Sequence, residues 1–239
     1  MGLRMNKILF VIVIYGISRE ESPAWRQLQT MPGAEPEDVY VHDNTSDNRY
    51  LAAAYNGAWQ YAEQNGYAWM VLLDADTAVT PQYLEAVREA AGRNEGNRVF
   101  CPTLIDGRGR VLSPFRAYGI PTAFNSGLLI PVRLVREIGG FNEAYPLDYL
   151  DYWFCRRLHQ LHIPLETLPV SLHHSLSVTD YKQVPRWRYL SLLSAEKRFA
   201  AETGRQGRYK LLLLCRLIKW TLTGHKYVKE TYNALTDRQ

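Results

Sequence analysis

Two apolar runs constrain this 239-residue chain more than anything else in it: residues 7–15, KILFVIVIY, and residues 69–73, WMVLL. Each is short, rich in β-formers or continuously apolar, and reads as a buried strand. A shorter run at residues 38–42 falls between them. Residues 50–64 follow it with helical periodicity through Leu51, Ala54, Tyr55, Ala58, Tyr61 and Ala62. Strands separated by helices pair in parallel through right-handed crossovers, so the first two-thirds of the chain reads as an α/β layered domain. In such a sheet, ligands bind beyond the carboxyl ends of the strands.

The residues at those ends are Tyr15-Gly16-Ile17-Ser18, then Asp43-Asn44-Thr45-Ser46-Asp47-Asn48, then Asp74-Ala75-Asp76-Thr77. Two acidic clusters therefore converge on one end of the sheet. Asp74 and Asp76 offer oxygen ligands to a hard divalent cation, which would in turn neutralise a substrate's phosphates. A turn or helix cap explains one of these acids more easily than both. Asp43 can accept from a base N–H, and Asn44 can donate and accept, although a turn-rich loop also uses such residues for itself. Downstream, Pro81 opens a helix capped by Thr80, residues 98–131 read as strands and loops, and Gly139-Gly140 ends a short helix begun near Pro131. A helix over residues 149–162 would put Asp148 and Asp151, three apart, on one face. Helix-dipole capping and pairing with Arg156 or Arg157 compete there with a role as general base. His173-His174 ends a strand over residues 165–172. Adjacent strand residues point to opposite faces, so one histidine at most faces a cleft, where a neutral imidazole could complete a metal site.

Composition narrows the class. With 46% hydrophobic and 22% charged residues the chain is neither disordered nor fibrous. Its net charge of +4 conceals an asymmetry: residues 1–180 carry 15 Lys/Arg and 20 Asp/Glu, and residues 181–239 carry 13 and 4. The basic tail suits an anionic partner or a solvated face. Nucleic acid is disfavoured, because no recognition module is visible. From Pro185 the pattern is helical, interrupted at residues 204–207. Read as one helix, residues 208–229 place Arg208, Arg216, Lys219, Lys226 and Lys229 in a sector of roughly 140°. This fits an interfacial membrane helix and equally a helix packed on its own domain. Cys101, Cys155 and Cys215 show no metal spacing and read as reduced thiols of a cytosolic protein. Arg4 and Lys7 before the first run imitate a signal peptide, but Ser18-Arg19-Glu20-Glu21 follows and no small-residue cleavage site does. No uninterrupted apolar run reaches the roughly 18 residues of a membrane span.

In their order, these motifs resemble glycosyltransferase family 2, the inverting GT-A type, and particularly its bacterial rhamnosyltransferase-like members. The resemblance rests on Val13-Ile14-Tyr15, residues 40–46, residues 51–57 and Leu72-Leu73-Asp74-Ala75-Asp76-Thr77. It continues through Asn125-Ser126-Gly127, residues 139–143, residues 148–157 and His174-Ser175-Leu176-Ser177. Tyr50 stands where the family usually has Gly, Ser177 replaces a common Gly, and one acid with the distant Asp148 stands for a common acidic pair. The resemblance implies a GT-A (Rossmann-like) mixed, mainly parallel sheet flanked by helices, spanning residues 1–180, with a helical extension at residues 181–239 serving the acceptor side or a membrane. It implies that Asp43 and Asn44 read the base and ribose, with Tyr15, Asn56, Asn125 and Asp148 also lining the substrate. Asp74 and Asp76 would hold Mg²⁺ or Mn²⁺ with His174, and Asp151 would be the catalytic base. The expected donor is a nucleoside-diphosphate sugar, dTDP- or UDP-linked, and the acceptor a glycan or lipid-linked saccharide of bacterial surface polysaccharide synthesis. The expected location is the cytosol, with docking of residues 208–239 at the inner face of the membrane. Competing readings are a non-catalytic nucleotide-sugar-binding scaffold and, further off, a DxD phosphatase. The latter would place the motif after the first strand, with Thr or Val where Ala78 stands.

Overall fold

The computed structural model describes residues 7–31, 38–93, 96–174 and 184–236. The chain divides into two compact units, Met1–Pro146 with Leu150–Ser175, and Leu147–Tyr149 with Leu176–Gln239. Ser175, Leu176 and Ser177 of the last motif lie outside the described residues, as does the expected boundary at residues 180 and 181.

In chain order the strands of the first unit are β1 (Ile8–Ile14), β2 (Val39–Asp43), β3 (Trp69–Asp74), β4 (Val99–Ile105), β5 (Val111–Ser113), β6 (Phe115–Ala117), β7 (Ile120–Thr122), β8 (Leu129–Pro131) and β9 (Leu165–His173). Its helices are α1 (Pro23–Thr30), α2 (Tyr50–Gln64), α3 (Pro81–Arg93), α4 (Val132–Ile138) and α5 (Leu150–Gln160). Seven strands form one sheet in the order β2-β1-β3-β8-β4-β5, with β9 beside β4, while β6 and β7 form a separate hairpin. β1 runs parallel to β2 and β3, and β9 runs parallel to β4. β8 is antiparallel to both β3 and β4. Every residue of β1 is buried, as are Trp69 to Leu73 of β3. Their apolar continuity has a direct cause: α1 and α3 cover Phe10, Ile12, Val71 and Leu73 on one face, and α2 packs on β1 and β3 from the other. Strands covered on both faces have no polar positions to alternate with.

The second unit consists of α6 (Arg186–Glu202), α7 (Gln206–Leu222) and α8 (Val228–Leu235), with Leu147–Tyr149. Tyr189, Leu193, Tyr209, Leu213, Trp220 and Tyr227 form its core. Arg216 on α7 donates two hydrogen bonds to Glu196 on α6, at 3.0 and 2.8 Å.

Two expected helices are corrected. Residues 208–229 are not one helix: α7 stops at Leu222, Gly224 has φ +63°, and α8 begins afresh at Val228. Lys226 and Lys229 are therefore not on the face of α7, and Arg216 turns inward to Glu196. Asp148 and Asp151 do not share a helical face. Tyr149 has φ +65°, a left-handed conformation that breaks the turn, and α5 starts at Leu150. Among the described residues no helix is long and apolar enough to cross a membrane.

Candidate metal and nucleotide-sugar site

The three parallel strands β2, β1 and β3 deliver Asp43, Ile14 and Asp74 to one edge of the sheet, since Ile14 pairs in register with Asp43 and Val13 with Asp74. The loops beyond them are tied together. Asn44 N–H donates to the Ile14 carbonyl at 2.9 Å, and Gly16 N–H donates to Thr45 Oγ1 at 3.2 Å. Tyr15 stands at this edge, 59% exposed and open to a ligand.

Asp74 ends β3, and the loop after it is held from both sides. The buried Ser22, which also caps α1 through Trp25 N–H, donates its hydroxyl to the Ala75 carbonyl at 2.7 Å. Thr77 N–H returns to the Asp74 carbonyl, and Thr77 Oγ1 lies 2.6 Å from Ser126 Oγ in a buried pair. Gly127 N–H donates to the Leu72 carbonyl at 2.7 Å, bringing Asn125-Ser126-Gly127 against β3. Gly127 has φ +83°, and a Cβ there would meet Pro102 Cγ at 2.5 Å, so only glycine fits this approach.

His174 reaches the same point from the far side of the chain. β9 pairs with β4 so that Ile105 stands opposite His173, and His174 N–H donates to the Ile105 carbonyl at 3.0 Å. Asp74, Asp76 and His174 then offer ligand atoms all within 4.8 Å of one another. His174 Nε2 is 3.7 Å from Asp74 Oδ2, too long for a hydrogen bond. Burial pushes the Asp74 carboxyl above its ordinary range; Asp76 adds to this and His174 opposes it. His174 Nδ1 is buried without a hydrogen-bond partner among the described residues. Two carboxylates and an imidazole so spaced fit Mg²⁺ or Mn²⁺, whose bonds of about 2.1 Å set ligand atoms roughly 3–4 Å apart.

Other expected site residues are placed as follows. Asp43 is exposed at the sheet edge, where hydrogen bonds from Thr45 hold its carboxyl below the ordinary range. Asn44 is 3% exposed and organises the loop: Oδ1 accepts from Arg49 N–H and meets His42 Nε2, while Nδ2 donates to the Tyr50 carbonyl. Its amide is thus engaged within the loop, while the exposed Asp43 stands at the sheet edge. Asn125 is 8% exposed, with Oδ1 lacking a hydrogen-bond partner among the described residues. Asp151 sits in the first turn of α5 and accepts from Tyr152 N–H at 2.9 Å.

Two expected substrate contacts are engaged elsewhere. Asn56 Nδ2 donates to the Phe141 carbonyl and to Glu143 Oε1, each at 2.9 Å, and Oδ1 accepts from Phe141 N–H at 2.7 Å. Gly140 permits this, since a Cβ there would lie 2.8 Å from Asn56 Oδ1. With its amide fully used, Asn56 is a staple between α2 and the loop after α4. Asp148 belongs to the second unit and accepts from Arg188 at 2.9 Å, while burial raises its carboxyl despite that guanidinium.

Tyr55 was not foreseen as more than a helical core residue. It is 0% exposed, its hydroxyl has no hydrogen-bond partner among the described residues, and both Asp74 and Asp151 act on it electrostatically. Burial first, and then those carboxylates, push its hydroxyl well above the ordinary range, so it remains a neutral donor. A tyrosine at a buried α2 position carries no sequence signal that separates this state from packing.

No protein-family model matches the chain, and no curated protein sequence does. Among solved structures it is similar to the mannosyltransferase PcManGT from Pyrobaculum calidifontis, in complex with GDP-Man and Mn²⁺. That match has 14% identity and a TM-score of 0.54, over 82% of this chain and 64% of the other. It is also similar to GalNAc-T7 with UDP, GalNAc and Mn²⁺, at 13% identity and a TM-score of 0.54, over 98% of this chain and 55% of the other. The chain thus has the GT-A fold of these glycosyltransferases, and spans less than two-thirds of the length of either.

Proposed function

We propose that the chain is a metal-dependent inverting glycosyltransferase of family 2 type, rhamnosyltransferase-like, using a nucleoside-diphosphate sugar as donor. The observation that carries this is the Asp74, Asp76 and His174 cluster at the carboxyl ends of parallel strands in a GT-A fold. The first unit would bind the donor and perform the chemistry, and the second would serve the acceptor, a glycan or lipid-linked saccharide of surface polysaccharide synthesis in the bacterial cytosol. The dTDP- or UDP-linked donor belongs to the same proposal.

Asp74, Asp76 and His174 would hold Mg²⁺ or Mn²⁺, which supplies positive charge to the departing diphosphate. Asp43 at the sheet edge would accept from the nucleotide base, with Tyr15 beside it. Asp151 would take the proton of an acceptor hydroxyl as that oxygen bonds to the anomeric carbon and the bond to the diphosphate breaks on the opposite face.

The experiment is incubation of the full chain with a panel of nucleoside-diphosphate sugars, Mn²⁺ and candidate acceptors, reading released nucleoside diphosphate. Asp151→Asn should retain donor binding and lose turnover by about 10²–10⁴-fold. Near wild-type transfer by that variant would remove Asp151 from the mechanism. Donor binding with no release on any acceptor would favour a binding scaffold.

A further inference from the structure

α7 carries two apolar faces, and the second unit's core uses only one. At about 100° per residue, Tyr209, Leu213 and Trp220 fall together and are buried against α6 and α8. Across the helix, Leu211, Leu214, Ile218 and Leu222 form a second stripe about 80° wide and are 60%, 43%, 54% and 82% exposed. Lys210 borders that stripe on one side, and Arg208 and Lys219 border it on the other, all three exposed. Between Gln206 and Leu222 there is no Asp or Glu.

We propose that this outer stripe of α7 docks the chain on an anionic lipid bilayer, with the helix lying in the plane of the interface. Four adjacent, largely exposed aliphatic side chains are a liability in water unless something covers them. The charge pattern says what does. Long cationic side chains on both flanks can reach up to lipid phosphates while the aliphatic stripe enters the acyl boundary. The seventeen residues of α7 suit lying in the surface, and no helix among the described residues is apolar enough to span it. A second copy of the chain is the poorer occupant. Pairing two such stripes would set Lys210, Arg208 and Lys219 against the same cations, with no acid on either helix to offset them. The inference stands on α7 alone and is independent of the transferase reading.

Cys215 borders the stripe, is exposed, and is free, whereas Cys101 and Cys155 are buried. An environment-sensitive fluorophore on Cys215 of the full chain should shift to the blue on adding vesicles of phosphatidylcholine mixed with phosphatidylglycerol. Phosphatidylcholine alone should leave it unmoved. Co-sedimentation with the mixed vesicles should weaken as salt rises, by about fivefold for Lys219→Ser, and should be lost in Leu214→Glu/Ile218→Glu with circular dichroism unchanged. Those positions are exposed, and the fluorophore on otherwise unsubstituted chain reads docking even if the double variant misfolds. Equal binding by the Glu variant, an unshifted fluorophore, or a dimer that the Glu variant dissociates without vesicle binding would each overturn the proposal. Donor binding in solution, which belongs to the first unit, should not change in the Glu variant, so failure here leaves the transferase reading intact.

Discussion

Gly127 shows how much one methyl group decides at this site. Its left-handed backbone and the 2.5 Å approach of Pro102 Cγ compound each other, so Gly127→Ala should destabilise the chain by about 2–4 kcal/mol in urea unfolding. Tyr55 makes the opposite case. Its hydroxyl has no hydrogen-bond partner among the described residues, and deleting it in Tyr55→Phe should change folding stability by no more than about 1 kcal/mol. Tyr50 carries a related lesson: its φ of +61° is a conformation that favours glycine, so a tyrosine there stores strain of about 1 kcal/mol at the start of α2.

At the scale of elements, joints matter more than the elements they join. Asn56 fastens α2 to the loop after α4 through three hydrogen bonds, so Asn56→Ala should cost about 2–3 kcal/mol while leaving donor affinity within a few-fold. A large loss of donor affinity at unchanged stability would restore Asn56 to the nucleotide. The Arg216–Glu196 pair plays the same part between α6 and α7, with side chains 19% and 12% exposed. Arg216→Ala should cost about 3 kcal/mol, because it strands Glu196, and Arg216→Met should cost less. Helix interiors such as Tyr50–Gln64 were legible because apolar spacing repeats over several turns. Two ends were not. Gly224 interrupts a helical pattern that resumes beyond it, and the left-handed Tyr149 sits at the very start of one, where residue type does not show that the turn before Leu150 is broken. At Asp148 that concealed break changed the role assigned to a carboxylate, which ion-pairs with Arg188 instead.

For the whole molecule, cation binding should couple to folding. Mn²⁺ at about a hundred times its dissociation constant should add about 2.7 kcal/mol, a rise of several degrees in melting temperature, which Asp76→Asn should abolish. An equal shift in that variant would place the ion elsewhere. The charge asymmetry of the chain, modest in its sum of +4, separates an acidic unit around this cluster from a basic helical one. Local sequence determined the buried parallel strands, because a strand covered on both faces must be apolar throughout. It determined too that acids stand at their carboxyl ends, because chain direction sets which residues follow a strand. The resemblance named His174 beside Asp74 and Asp76, but what carries it there is tertiary: the pairing of β9 with β4, between which residues 106–164 intervene. Tertiary structure alone decided that Asn44, Asn56 and Asp148 are occupied by protein partners. A polar side chain's partners are set by what the rest of the fold brings within about 3 Å, and residue type and spacing do not encode that.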